Sequence, residues 1–253
     1  MANSLKRIIL GQPLATSAEK HERLGKIAGL AVFASDALSS VAYGTEEIML
    51  VLVMAGTAAV AYSFPIMIGI VLLVGIVAAS YWQTIHAYPS GGGSYIVAKD
   101  NLGTLPGLIA GAALLIDYVL TVAVSTASGV AAITSAFPAL FPWRVAICTL
   151  TVIGVTVANL RGVRESGRLF TIPTYWFIAS LGLLILVGFY RVATGTVQAY
   201  PPEEIKATEG VTVFLILRAF SSGCATLTGI EAVSNRIPAF RPPKPKNASA
   251  TLV

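Results

Sequence analysis

The sequence predicts an all-α integral membrane fold, and three observations point to it. Charged residues make up only 11% of the chain and hydrophobic residues 55%, whereas a soluble domain carries about 25% charged residues. Several apolar runs reach the roughly 20 residues that a helix needs to cross a bilayer. Basic residues gather in alternate connections, the pattern of the positive-inside rule. That placement, rather than a nucleic-acid partner, accounts for the net charge of +5.

Residues 1–23 read as a basic cytoplasmic arm, partly helical at the interface. The apolar run within MANSLKRIILGQP is too short for a cleaved signal sequence. Six spans follow, at about Leu24–Met54, Phe64–Ile85, Leu105–Ala132, Trp143–Leu160, Ile172–Arg191 and Val211–Arg236, within a transmembrane domain of residues 24–240. With the N-terminus inside, the cytoplasmic side collects Lys6, Arg7, Lys20, Arg23, Lys26, Lys99, Arg161, Arg164, Arg168, Arg236, Arg241, Lys244 and Lys246. Of the 17 basic residues, Arg144, Arg191, Lys206 and Arg218 lie outside or near an outer helix end. The expected location is the cell membrane, multi-pass, with the N-terminus cytoplasmic.

The connections add detail. His86–Gly103 (HAYPSGGGSYIVAKDNLG) reads as a turn and a short amphipathic segment. Its Gly91, Gly92 and Gly93 lack the following Lys-Ser/Thr pair that a phosphate loop requires. Thr194–Gly210, with Pro201, Pro202, Glu203, Glu204 and Glu209, reads as a solvated outer loop. Residues 241–253 read as a cytoplasmic tail that stops as a new apolar stretch begins, which predicts a truncated product. Cys148 and Cys224 sit inside apolar runs and offer no disulfide framework. His21 and His86 are too far apart in sequence to suggest a metal site on their own.

Three spans carry polar stripes. Asp36, Ser39, Ser40, Tyr43 and Glu47 recur every three to four residues in the first, and Asp117, Thr121, Ser125 and Ser128 do so in the third. In the sixth, Thr228, Glu231 and Asn235 share a face, preceded by Ser221, Ser222 and Gly223, which are compatible with local unwinding. Single hydroxyls in spanning helices commonly bond back to their own helix or glue neighbours together. Glu46, Glu47 and Arg218 lie near outer ends, where they reach water or pair. Asp36, Asp117 and Glu231 differ, because each lies well inside its span. A central carboxylate costs about 2.5–3.5 kcal/mol on insertion scales. Convergence on one wet cavity lowers that cost, and carboxylates among hydroxyl oxygens suit a hard cation or a proton relay. The small and hydroxyl residues around Asp36 predict a first span that is broken or wetted at its middle.

Gly29–Leu52 (GLAVFASDALSSVAYGTEEIMLVL), Tyr88–Gly103, Leu114–Ile133 (LLIDYVLTVAVSTASGVAAI) and Gly223–Phe240 (GCATLTGIEAVSNRIPAF) carry a resemblance. From about Arg23 onward, the chain resembles the KimA-type bacterial potassium importers of the KUP family. These belong to the amino acid–polyamine–organocation (APC) superfamily. The resemblance implies the first six transmembrane helices of a 5+5 inverted-repeat (LeuT/APC-type) transporter, with helices 1 and 6 discontinuous. The expected breaks fall at Ala34–Asp36 and Ser221–Thr226. It implies proton-coupled potassium uptake, with potassium held by Asp36, Tyr43, Thr121, Ser125 and Thr228. Tyr118 and Asp117 join the binding set, and Glu231 or Asp117 accepts the proton. Potassium and the proton are cargo, and no cofactor is expected. The expected partners are membrane lipid and the substrate, with a homodimer as a further assembly.

An amino acid–proton symporter of the same fold is the alternative. Such a site binds the substrate carboxylate at the exposed amides of broken helix 1, where Asp36 repels an anion and attracts a cation. An enzyme is not expected. Asp36 and Asp117 could share a proton as an aspartyl protease pair does, but no Gly-x-Gly-Asp motif lies on a second helix. An inactive fragment or membrane scaffold is the remaining reading.

Overall fold

The computed structural model describes residues 23–160, 163–197 and 205–253. The basic arm of residues 1–22, Arg161, Pro201, Pro202, Glu203 and Glu204 lie outside the described residues, as do the side chains of Arg164 and Arg168. Helix α1 (Lys26–Phe33) and helix α2 (Ser35–Leu52) are separated by Ala34 alone. Three serines bond back to the main chain around the interruption. Ser35 Oγ donates to Val32 O at 3.4 Å, and Ser39 and Ser40 donate to Asp36 O at 2.8 and 3.0 Å. Such back-bonding competes with the helical ladder and bends helices.

Gly56, with φ +84°, turns the chain between two 3-10 segments (Val53–Ala55 and Thr57–Tyr62) and into α3 (Ser63–Ala87). The loop at Gly91–Gly93 leads into α4 (Gly93–Leu102), which packs on α5 (Thr104–Ala136). A 3-10 segment at Pro138–Trp143 precedes α6 (Arg144–Leu160), and α7 spans Val163–Ala193. Helix α8 (Val213–Gly223) is N-capped by Thr212, whose Oγ1 accepts from the Leu215 amide at 3.1 Å.

The stretch expected as one span to Arg236 divides after α8. A 3-10 turn (Cys224–Leu227), an extended Thr228 and Gly229 at φ +86° lead into the five-residue helix α9 (Glu231–Asn235). Beyond a 3-10 turn at Ile237–Ala239, the stretch read as a tail contains helix α10 (Lys244–Leu252). It buries Ala248, Ser249 and Thr251 and packs on α1 and α3.

Among the described residues, six helical stretches are long and apolar enough to cross a membrane: Ser35–Ala55, Thr57–Ala87, Thr104–Ala136, Pro138–Leu160, Leu169–Ala193 and Val213–Asn235. Leu150, Ile172, Trp176 and Phe189 stand exposed on them, as lipid-facing side chains do once the helix has satisfied its own backbone groups.

Two apolar clusters hold the bundle at opposite ends. Ile48, Val51, Leu52, Ile66, Ile70, Leu215 and Ala219 pack where α2 ends and α3 and α8 begin. Leu24, Phe33, Ile85, Val233, Ile237, Phe240 and Ala248 pack at the other end. Ile70 and Ile85 lie on the same helix, about 22 Å apart at 1.5 Å per residue. Backbone bonds tie the ends as well: Leu24 N donates to Ala239 O at 2.8 Å, and Arg241 N donates to Leu24 O at 2.9 Å. At the first end, the amides of Thr208 and Glu209 donate to Met54 O at 2.8 and 3.0 Å. Along α2, residues 36–43 fall between the two clusters.

Candidate functional site

The first turn of α2 carries Asp36, where the positive end of the helix dipole favours a carboxylate. One turn on, Ser40 is fully buried and serves as a hub. Its hydroxyl bonds Asp36 O at 3.0 Å, Tyr43 Oη at 3.0 Å and Thr228 Oγ1 at 2.7 Å. Thr228 in turn donates to Ala225 O at 2.8 Å. This places the segment after α8 against α2. Two glycines make the approach close enough: a Cβ on Gly44 would collide with Thr226 Cγ2, and one on Gly229 would collide with Asp36.

On its other side, α2 faces α5. Ser39 Oγ lies 3.4 Å from Ser125 Oγ, and cavities open to either side of that contact. The larger, about 680 Å³, is lined by Asp36, Tyr118, Thr121, Asn159 and Arg236 among others. The smaller, about 440 Å³, is lined by Tyr43, Glu46, Ser128 and Phe177 among others. Ser35, Ser39, Ser125 and Phe170 border both.

The residues singled out from sequence separate into groups. Asp36, Tyr118, Thr121 and Ser125 line the larger cavity, and Tyr43 joins Ser125 in lining the smaller. Thr228 lies behind α2 on the Ser40 hub. Asp117 is half-buried on α5 and lines neither of these cavities. Glu231 is 5% exposed and its Oε1 has no hydrogen-bond partner among the described residues. The backbone amides of Glu231 and Gly229 face its carboxylate. Asp36, Asp117 and Glu231 thus sit on α2, α5 and α9, each of which contributes lining to the larger cavity.

The amino acid permease family model matches residues 26–253. The chain belongs to the amino acid permease family. Over 254 aligned residues, all of this chain and 42% of the relative, it is 49% identical to the potassium transporter KimA of Bacillus subtilis. It is 30% identical over 132 residues to the probable potassium transport system protein Kup 1 of Ralstonia nicotianae, covering 51% of this chain and 21% of that relative. The chain thus spans less than half the length of these two curated relatives. With six apolar helices of crossing length, this permease-family chain is a multi-pass membrane protein.

Several residues of the candidate site were given no role by the sequence pattern. Ser40 was on the first-span stripe, but nothing in the spacing told it from Ser39. Asn235 shared a face with Glu231 and proves to donate through Nδ2 to Tyr118 Oη at 2.6 Å. Asn159, Phe170 and Arg236 enter from α6, α7 and the end of α9. Asn159 is the one amide side chain in α6, and that was the signal available for it.

Proposed function

We propose that this chain forms the cation-binding part of a secondary transporter that takes up potassium together with protons. One observation carries the reading. Asp36, in the first turn of α2, lines a cavity that also presents the hydroxyls of Ser39, Tyr118, Thr121 and Ser125. A carboxylate with hydroxyl oxygens beside it suits a hard cation. The similarity to potassium transporters over all or half of the chain supports the same conclusion. In this reading Asp36, Tyr43, Thr121, Ser125 and Thr228 hold potassium as it passes, with Asp117 and Tyr118 alongside. Glu231 or Asp117 takes the proton, since a buried carboxyl favours its neutral form and a nearby cation its charged form.

The same reading makes α1–α2 and α8–α9 the two broken helices of an inverted-repeat transporter, with the N-terminus cytoplasmic. The interruption at Ala34 and the turn from Cys224 to Ile230 support it, as does the crowding of polar groups there. The test is rubidium uptake by cells that lack their own potassium importers and express the whole protein containing this chain. Uptake that is saturable, driven by an imposed proton gradient and lost in Asp36→Asn is the expected result. No uptake above background in the unaltered protein refutes it.

Arg236 favours a second reading. It lines the larger cavity together with Asp36, so the cavity offers one cationic and one anionic side chain, as the two ends of an amino acid require. Uptake of labelled amino acids without rubidium uptake selects this alternative.

A further inference from the structure

A polar cluster lies beside the larger cavity. On α9, Glu231, Ser234 and Asn235 fall three and four residues apart and so share a face. Glu231 Oε1, Ser234 Oγ and Asn235 Oδ1 are buried, and none has a hydrogen-bond partner among the described residues. Glu231 is 5% exposed and Ser234 0%. Leaving such a group unsatisfied costs about 1–3 kcal/mol, and folded proteins commonly satisfy clusters of them with an ordered water making about three bonds.

The surroundings suit that role. Helix α9 packs on α3 and α4, and the Gly92 amide donates to Asn235 O at 3.3 Å. A Cβ on Gly93 would collide with Asn235 Oδ1, so the glycine loop leaves room for that oxygen. Tyr81 Oη of α3 and Ser94 Oγ of α4 pair at 3.0 Å, on the two helices that pack against α9. The charged groups acting on Glu231 are Asp117 and Asp36.

We propose that Glu231, Ser234 and Asn235 hold a buried water that relays a proton between Glu231 and the Gly91–Gly93 side of the protein, with the Tyr81–Ser94 hydroxyl pair as the next station. The proposal rests on the reading that Glu231 carries a transported proton. In the release step the O–H bond of the Glu231 acid breaks and the proton bonds to the water oxygen. That water gives one of its own protons to the hydroxyl pair, which passes one on to solvent. Glu231 is left as a carboxylate and the water is unchanged. Ser234 and Asn235 act as positioning residues for the water.

The experiment uses the whole protein in liposomes, with an internal pH dye to follow proton entry and rubidium to follow the cation. Ser234→Ala and Asn235→Ala are each expected to slow proton entry by roughly tenfold, the loss of about one water hydrogen bond. Rubidium binding to purified Ser234→Ala stays at the unaltered level, and Ser234→Thr, which keeps the hydroxyl, restores proton entry. Unchanged proton entry in both alanine variants overturns the relay. So does a parallel loss of rubidium binding in Ser234→Ala, which would make this face part of the cation site.

Should either variant fail to fold, infrared difference spectra of the unaltered protein in ordinary and oxygen-18-labelled water decide. A water band that disappears in Glu231→Gln supports the relay, and its absence in the unaltered protein refutes it. If the unaltered protein moves amino acids and not rubidium, the potassium reading fails. The same variants are then compared with the amino acid as co-substrate, so the relay is judged separately.

Discussion

Gly229 lies directly against Asp36. A Cβ at residue 229 would fall 2.8 Å from Asp36 Cβ and Cγ and 2.6 Å from the Ala37 nitrogen. The turn between α8 and α9 therefore meets the start of α2 with no side chain of its own in between. Gly229→Ala also meets a φ of +86°, a left-handed conformation costing an L-residue roughly 1–2 kcal/mol. The variant is expected to melt at a lower temperature in detergent and to lose rubidium uptake. Gly210→Ala, at an exposed glycine with nothing within 4 Å of a new Cβ, is expected to do neither.

Gly44 and Thr226 form a second close approach. Gly44→Ala is expected to destabilise the protein by about 1–3 kcal/mol through overpacking, read as a lower melting temperature. Thr226→Ser removes the Cγ2 methyl that a Cβ on Gly44 would strike and keeps the hydroxyl that donates to Gly223 O at 2.9 Å. Combined with Gly44→Ala it is expected to recover most of the loss. Simple addition of the two single effects would show that the sites are not in contact.

Ser40→Ala removes the hub shared by Tyr43 and Thr228. Thr228 keeps its bond to Ala225 O, whereas no other bond to the Tyr43 hydroxyl is recorded among the described residues. The expected effect is a rise in the KM for rubidium of roughly tenfold, in line with about 1–3 kcal/mol for an unmatched polar group, with protein level unchanged. Ser40→Thr retains the hydroxyl and is expected to recover part of the affinity. An unaltered KM in Ser40→Ala would reduce the hub to helix packing.

Asp36→Asn separates binding from stability. Asparagine nearly preserves the shape and removes a charge that is costly inside a membrane. Cation binding is expected to vanish. The melting temperature without potassium is expected to stay level or rise, and the usual increase on adding potassium to disappear. A large fall in melting temperature would instead mark Asp36 as a structural partner.

Hydropathy located the six spans, because a bilayer demands long apolar runs whatever the packing. The polar stripes likewise pointed to Asp36, Thr121 and Ser125, since helical period places them on one face before any tertiary contact exists. Rotation of α2 was beyond that signal. Ser39 turning to Ser125 and Ser40 to Thr228 depends on how three helices pack, and neighbouring serines look alike in sequence. Asp117 shows the same limit, since its stripe carries Thr121 and Ser125 to the cavity while Asp117 itself lines neither cavity. The helix at Lys244–Leu252 was obscured by two prolines and a polar composition, and its buried face becomes apparent only against α1 and α3.

The two apolar clusters also act as insulation. Each packs apolar side chains at one end of the layer that holds Asp36, Thr121 and Glu231, and wherever such packing keeps water out a membrane potential falls across the protein. A full crossing is worth about 2.3 kcal/mol per charge at 100 mV, and a site half-way therefore gains about half of that. Cation affinity at Asp36 should then follow voltage: polarising vesicles negative inside by 100 mV strengthens binding from outside by roughly sevenfold, an effect that measurements in detergent leave invisible.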